Sequence, residues 1–376
     1  MNNKGNIIQS LTSLRMFAAL GVFVSHLGLL SQSSIGVFNT AAKYFFNGYI
    51  GVTFFYILSG FIINYSFINH VKKEAFSNKD FIVYRIARIF PVHIVALLCF
   101  ILIFMHGKMG DGISKEMLIS NVFLVQSFIP IQDYYFSFNS VSWSISCEMF
   151  FYVSFCFLTR LKTKYLACVL LFVLVINFYF LINPPITISQ HWLFYINPAF
   201  RIGDFIIGMM LCRVFINTSA RPNNTVCSII EIASILSLLL TVYIATNYIT
   251  YMNIKYDVLY IPCMAFIVIA FAFNGGILSK ILKNRFMVLL GEASFSFYMF
   301  HWMIIQIVTK ILSVEKDNFI DMLVYVVLSL FVSIIASILS FKLIEMPINK
   351  TIRRCWKNIG GCSLSGVHEY FFFCSF

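Results

Sequence analysis

Residues Leu11–Leu30, LTSLRMFAALGVFVSHLGLL, form an apolar stretch of membrane-spanning length that holds two side chains foreign to lipid, Arg15 and His26. On a helix, eleven residues make three turns plus about 20°, with a rise of roughly 16.5 Å. Both groups therefore look out of one face, with a guanidinium near one end of the span and an imidazole in its interior. Two readings are open for the pair: an interfacial cation with a hydrogen-bonded packing histidine, or the lining of a functional path through the membrane.

The rest of the chain has the same character. Its 376 residues are 60% hydrophobic and 11% charged, with a mean hydropathy of +0.86. That composition excludes a soluble globular domain and indicates an all-α polytopic membrane protein. Polar punctuation marks ten spans at about 11–30, 46–68, 86–105, 141–158, 165–182, 198–215, 226–245, 256–273, 288–311 and 319–344. With both termini inside, twenty of the 27 Lys and Arg residues fall on inner connections or helix ends. Six (Lys43, Lys108, Lys115, Lys255, Lys310 and Lys316) fall on outer connections, and Arg201 lies just within an outer end. This asymmetry supports an even number of spans. The net charge of +12 is spread over short loops facing anionic headgroups, and no nucleic-acid-binding motif is present. The ten cysteines show neither a disulfide framework nor metal-ligand spacing, so no metal is expected. The expected organisation is a membrane domain over residues 1–350 and a short inner tail over 351–376, with the first helix retained.

Several polar residues stand out along the chain. In GVTFFYILSGFII, Gly51, Ser59 and Gly60 offer small surfaces for close helix packing. Arg85 and Arg88, at i and i+3, are neighbours at the inner end of the third span, where they fit either phosphate binding or ordinary anchoring. The outer segment 106–140 contains MLISNVFLVQSF, too short to span and expected to cover the outer mouth. Trp143, Ser144, Ser146 and Glu148 follow in WSISCE; the buried carboxylate requires a partner, a proton or water, with Arg201 as one candidate partner. His93 is expected to pack or face water, and NPPITISQHWLFYINP to form an interfacial aromatic belt. Arg201 and Asp204 are spaced as a helix-stabilising pair, while His301 lies mid-span among aromatics.

These pieces together resemble the acyltransferase family 3 membrane proteins. The matches run in order: Arg15-x10-His26, GVTFFYILSGFII, Arg85-x-x-Arg88, WSISCE, SFSFYMFH ending at His301, and IEMP at 344–347. Thr53 stands where the family often has Asp, Met149 where a second Glu is common, and Met303 where Pro is frequent. The resemblance implies a multi-pass protein of the bacterial cytoplasmic (inner) membrane. It would transfer an acyl group, usually acetyl from cytoplasmic acetyl-CoA, to a sugar hydroxyl of a surface polysaccharide such as an O-antigen (lipopolysaccharide), capsule or exopolysaccharide. Its partners would be membrane lipids and a polysaccharide or lipid-linked sugar. On this reading Arg15, Arg85 and Arg88 hold the CoA phosphates, and His26 acts as general base or as acyl acceptor. Glu148 orients the imidazole, and Trp143, Ser144, Ser146 and His301 meet the sugar. The competing reading is a transporter or flippase of a lipid-linked sugar, which would be expected to show broken helices or internal repeats.

Overall fold

Apolar runs closed by capping residues produce helices throughout. The computed structural model describes residues 8–45, 48–71, 77–105, 114–218 and 221–359, and no strand occurs among them. Lys4, Lys72, Lys73 and Lys108 of the charge count, and the tail from residue 360 onward, lie outside the described residues. The principal helices are α1 (Gln9–His26), α2 (Tyr49–Val71), α3 (Asn78–Phe104), α4 (Trp143–Leu158), α5 (Thr163–Ile182), α6 (Pro198–Asn217), α7 (Asn224–Asn247), α8 (Ile261–Ala272), α9 (Ser294–Ile311), α10 (Phe319–Ser340) and α11 (Met346–Ile359).

A helix overlaps each of the ten expected spans. By length and composition six stretches suffice to cross a membrane, or seven when the short helix Arg285–Glu292 and α9, bent by 64°, count as one span. The count of ten depends on α1, α6 and α8, which fall short for identifiable reasons. Helix α8 has only 12 residues. Helix α6 carries Arg201, Asp204 and Arg213, and α1 is polar near both ends. All three are largely buried, so their polar groups face protein instead of lipid. Lipid-facing surface comes chiefly from α5, α7 and α10, which expose residues such as Phe172, Phe178, Leu236, Leu240, Phe331 and Ile335.

Capping and small residues set the geometry. Asn197 caps α6 by accepting from the Ala199 amide at 2.9 Å, and Pro198 occupies the first turn, where its missing N–H costs nothing. Helices α2 and α6 cross through reciprocal glycines: a Cβ on Gly60 would strike the Phe205 carbonyl, and one on Gly208 the Ile57 carbonyl. Gly51 likewise lies against the Ala18 carbonyl of α1. Only a residue without a side chain permits such backbone approach.

Beneath the α2–α6 crossing, Arg201 is fully buried. It pairs with Asp204 at 2.8 Å and Asp257 at 3.0 Å, and donates to Thr53 Oγ1 at 3.0 Å. This confirms the expected i, i+3 pair and corrects the alternative that Arg201 serves Glu148. The segment expected to be an interfacial belt is also different: Trp192–Ile196 forms a π-helical turn whose five side chains are buried. The Trp192 indole N–H donates to the Ser127 carbonyl at 2.9 Å, which draws the loop inward.

Candidate active site

His26 ends α1, and Nδ1 of its ring lies 2.8 Å from Nε2 of His301 on α9. The two ring planes are within 22° of each other and their centroids are 5.1 Å apart, so the imidazoles meet edge to edge, as an in-plane N–H···N hydrogen bond requires. His301 is buried, and its Nδ1 faces the Tyr298 carbonyl at 2.7 Å and the Phe297 carbonyl at 3.2 Å. Carbonyls only accept, so His301 Nδ1 carries the proton and Nε2 of the neutral ring presents its lone pair. The His26 Nδ1–H then donates to that lone pair, leaving His26 Nε2 as the open basic nitrogen. The tautomers are thus assigned from the hydrogen-bond network.

Three turns down α1, Arg15 is buried beside Glu148. Arg85 and Arg88 lie within electrostatic reach of the same carboxylate, as does Glu292 of Arg15. Glu148 accepts from Tyr152 Oη at 3.0 Å, an i, i+4 contact within α4. The Arg85 guanidinium sits over the Phe81 and Tyr152 rings, 5.3 and 5.7 Å from their centroids. Arg88 pairs with Glu345, which also accepts from Ser296 Oγ at 2.9 Å. Glu345 closes the π-helical turn Phe341–Glu345 after α10, whose irregular winding places its carboxylate inside the protein. Three guanidiniums and three carboxylates, Glu148, Glu292 and Glu345, thereby gather in one patch. Arg353, within electrostatic reach of Arg88, adds a fourth guanidinium, and the resulting excess of cations suits a polyanion.

A cavity opens beside Arg15 and Glu148 and extends to Tyr298, one turn before His301, without being lined by either histidine. Arg15 and Glu148 line one part of it, and Ser144, Tyr56 and Tyr298 another; its empty volume, mouth included, is about 340 Å³. Ser144 Oγ hydrogen bonds with Tyr298 Oη at 2.9 Å, and the Tyr298 carbonyl is the one that orients His301.

The sequence-derived residues therefore fall into distinct places. Arg15, Arg85, Arg88 and Glu148 come together. His26 meets His301, the residue expected at the sugar, and no hydrogen bond joins His26 to Glu148. Trp143 is buried against Tyr195, with ring centroids 4.6 Å apart, and Ser146 Oγ is engaged with Ser127 Oγ at 2.6 Å. Sequence reasoning assigned no role to Tyr152, Tyr298 or Glu345. The i, i+4 spacing of Glu148 and Tyr152 was a signal for the first. Among the described residues, no group of three or more His, Cys, Asp or Glu side chains is placed to hold a metal ion.

Comparison with known proteins places the fold in a family. Residues 8–341 match the family model described as Acyltransferase domain, the acyltransferase 3 family. The acyltransferase MdmB of Streptomyces mycarofaciens is 28% identical over 320 residues, covering 80% of this chain and 79% of that protein. The peptidoglycan O-acetyltransferase OatA of Listeria monocytogenes is 25% identical over 91% of this chain, and the O-acetyltransferase OatA of Staphylococcus aureus 22% over 91%. The chain spans little more than half the length of those two, 56% and 57%. No solved structure matches. With the family model covering nearly all of its helical region, the chain belongs to the acyltransferase 3 family and is an acyltransferase of membrane-protein architecture.

Proposed function

We propose that the protein is a membrane O-acyltransferase of the bacterial cytoplasmic membrane, with both termini inside, moving an acetyl group from acetyl-CoA to a hydroxyl of a surface glycan. The observation that carries this reading is a cavity lined both by Arg15 and Glu148 of the arginine patch and by Tyr298, whose carbonyl orients His301 of the histidine pair. Arg15, Arg85 and Arg88 bind the phosphates of the donor by charge-assisted hydrogen bonds. Arg85 is the most exposed of the three, at 8% against 5% for Arg88 and 2% for Arg15. The thioester then lies along the cavity toward His26, consistent with the rise of roughly 16.5 Å between Arg15 and His26.

His26 Nε2 takes the proton of the attacking hydroxyl. The oxygen bonds to the thioester carbonyl carbon, the C–S bond breaks, and the leaving thiolate recovers the proton from the imidazolium. His301 accepts from His26 Nδ1–H throughout, the orienting part that a carboxylate plays in a serine-protease triad. Glu148, held by Tyr152, balances charge in the arginine patch instead of touching the imidazole. Residues 1–350 constitute the transferring unit, and the basic helix α11 docks on its inner end through Trp356 Nε1, which donates to Asp80 Oδ1 at 2.7 Å.

Acetyl-CoA titration into nanodisc-held protein tests the donor half. Arg85→Ala is expected to weaken binding at least tenfold, and His26→Ala to bind normally while releasing no CoA. Unchanged affinity in Arg85→Ala would remove the donor assignment. Transport of a lipid-linked sugar without any CoA release would favour the transporter reading.

A further inference from the structure

A buried polar network tied to α9 at the Met299 carbonyl, two residues before His301, lies outside the cavity and outside the chemistry above. Its hydrogen bonds run in one direction, set by backbone carbonyls. Asn121 Nδ2 donates to the Met117 carbonyl at 3.1 Å, so Asn121 Oδ1 is the acceptor for Ser142 Oγ–H at 3.3 Å. Ser142 Oγ in turn accepts from Gln126 Nε2 at 3.2 Å, which fixes Gln126 Oε1 as an acceptor. Asn139 Nδ2 donates to the Met299 carbonyl at 2.8 Å, fixing Asn139 Oδ1 in the same way. His93 Nε2–H donates to the Asn121 carbonyl at 2.9 Å, so its Nδ1 carries a lone pair.

The three ends of this network, Gln126 Oε1, Asn139 Oδ1 and His93 Nδ1, have no hydrogen-bond partner. Their residues are 0%, 1% and 1% exposed. Buried acceptors are costly to leave unpaired, and amide flips cannot rescue these two amides without turning an N–H donor away from its acceptor. The backbone is also held unusually here. Leu124 (φ 54°) and Phe138 (φ 57°) occupy the left-handed region, rare for bulky residues, and each adjoins an orphaned amide's segment. The network is anchored to α9 at Met299, two residues before His301.

We propose that His93, Gln126 and Asn139 form the subsite for the hydroxyl-bearing acceptor, their three acceptor atoms taking hydroxyl hydrogens of the sugar beside the one that reacts. This deepens the acyl-transfer reading and rests on it. It also accounts for the engagement of Trp143 and Ser146 inside the protein: those residues support the wall, and the amides and His93 meet the ligand. A hydroxyl-rich ring offers several donors on neighbouring carbons, the complement to a set of acceptors alone.

The test uses full-length protein in expressing cells and in nanodiscs, comparing wild type with Gln126→Met, Asn139→Leu and the acceptor-preserving Gln126→Glu. Acetyl-CoA affinity is measured by titration, and O-acetyl ester in the cell-surface glycan by NMR. Gln126→Met and Asn139→Leu are expected to lower glycan ester at least tenfold with acetyl-CoA affinity within twofold of wild type, and Gln126→Glu to retain more ester than Gln126→Met. Ester within twofold of wild type in both apolar variants would mean that the acceptors are met by water only, overturning the subsite. Parallel loss of affinity and ester would assign the network a structural role and overturn it equally. Wild-type protein that neither binds acetyl-CoA nor acetylates glycan would instead refute the acyl-transfer reading and take the subsite with it.

Discussion

Replacing His301 by phenylalanine removes the acceptor of the His26 Nδ1–H while keeping an aromatic ring of similar size against Phe23 and Phe297, whose ring centroids lie 6.3 and 5.8 Å from that of His301. His26 would then be free to rotate or to place its proton on Nε2, where it no longer serves as a base. A positioned general base contributes about 10²–10⁴-fold, so losing its orientation costs about 3–5 kcal/mol of transition-state stabilisation. Most of that range is expected to appear as a fall in kcat, because neither the arginine patch nor the cavity lining includes His301. His301→Gln keeps an acceptor oxygen on the same helix and is expected to recover part of the rate. The assay is initial-rate transfer from labelled acetyl-CoA in nanodiscs, with folding checked by size-exclusion chromatography. A His301→Phe rate within threefold of wild type, or no difference between Phe and Gln, would refute the orienting role.

Other expectations concern the scaffold. Gly208→Ala drives a methyl into the Ile57 carbonyl, and is expected to destabilise by about 1–3 kcal/mol, read as a lower Tm in detergent. Glu231 is fully buried and accepts from the amides of Gly276, Leu278 and Ser279 at 3.0, 3.0 and 3.1 Å. Glu231→Ala strands these donors, at a cost of about 1–3 kcal/mol for each buried group left unpaired; it is expected to lower Tm while transfer per folded molecule stays at the wild-type level. At the opposite end of the bundle, the Ser34 hydroxyl and amide hold the Asp317 carboxyl below its ordinary value of 3.8. A lowered folded value means the clasp contributes stability above the unfolded value and loses it as pH falls through the folded one. Tm differences between wild type and Asp317→Asn are therefore expected at pH 7 and should vanish in strong acid; a difference that persists unchanged there contradicts the assignment.

Much of the helical framework was legible because membrane helices declare themselves by composition, and α4, α5, α7 and α10 lie close to the apolar runs. The shared face of Arg15 and His26 and the adjacency of Arg85 and Arg88 followed from helical periodicity alone. What periodicity lacks is distance between helices. His26 and His301 are separated by 275 residues, so their pairing had no local signal. The same holds for Asp257 reaching Arg201 and for Glu345 reaching Arg88, whereas the Arg201–Asp204 pair, within one helix, was visible. The segment from 114 to 142 was legible only as a non-spanning cover. Its path includes left-handed backbone at Leu124 and Phe138, residue types that carry no turn signature.

The central claim is that His26 is the base of an acyl transfer, and it is tested most directly by supplying labelled acetyl-CoA to membranes containing wild-type or His26→Ala protein and following label into surface glycan. The account predicts alkali-labile O-acetyl label with wild type and a loss of at least a hundredfold with His26→Ala at equal amounts of folded protein. Label at the wild-type level in His26→Ala membranes would contradict it.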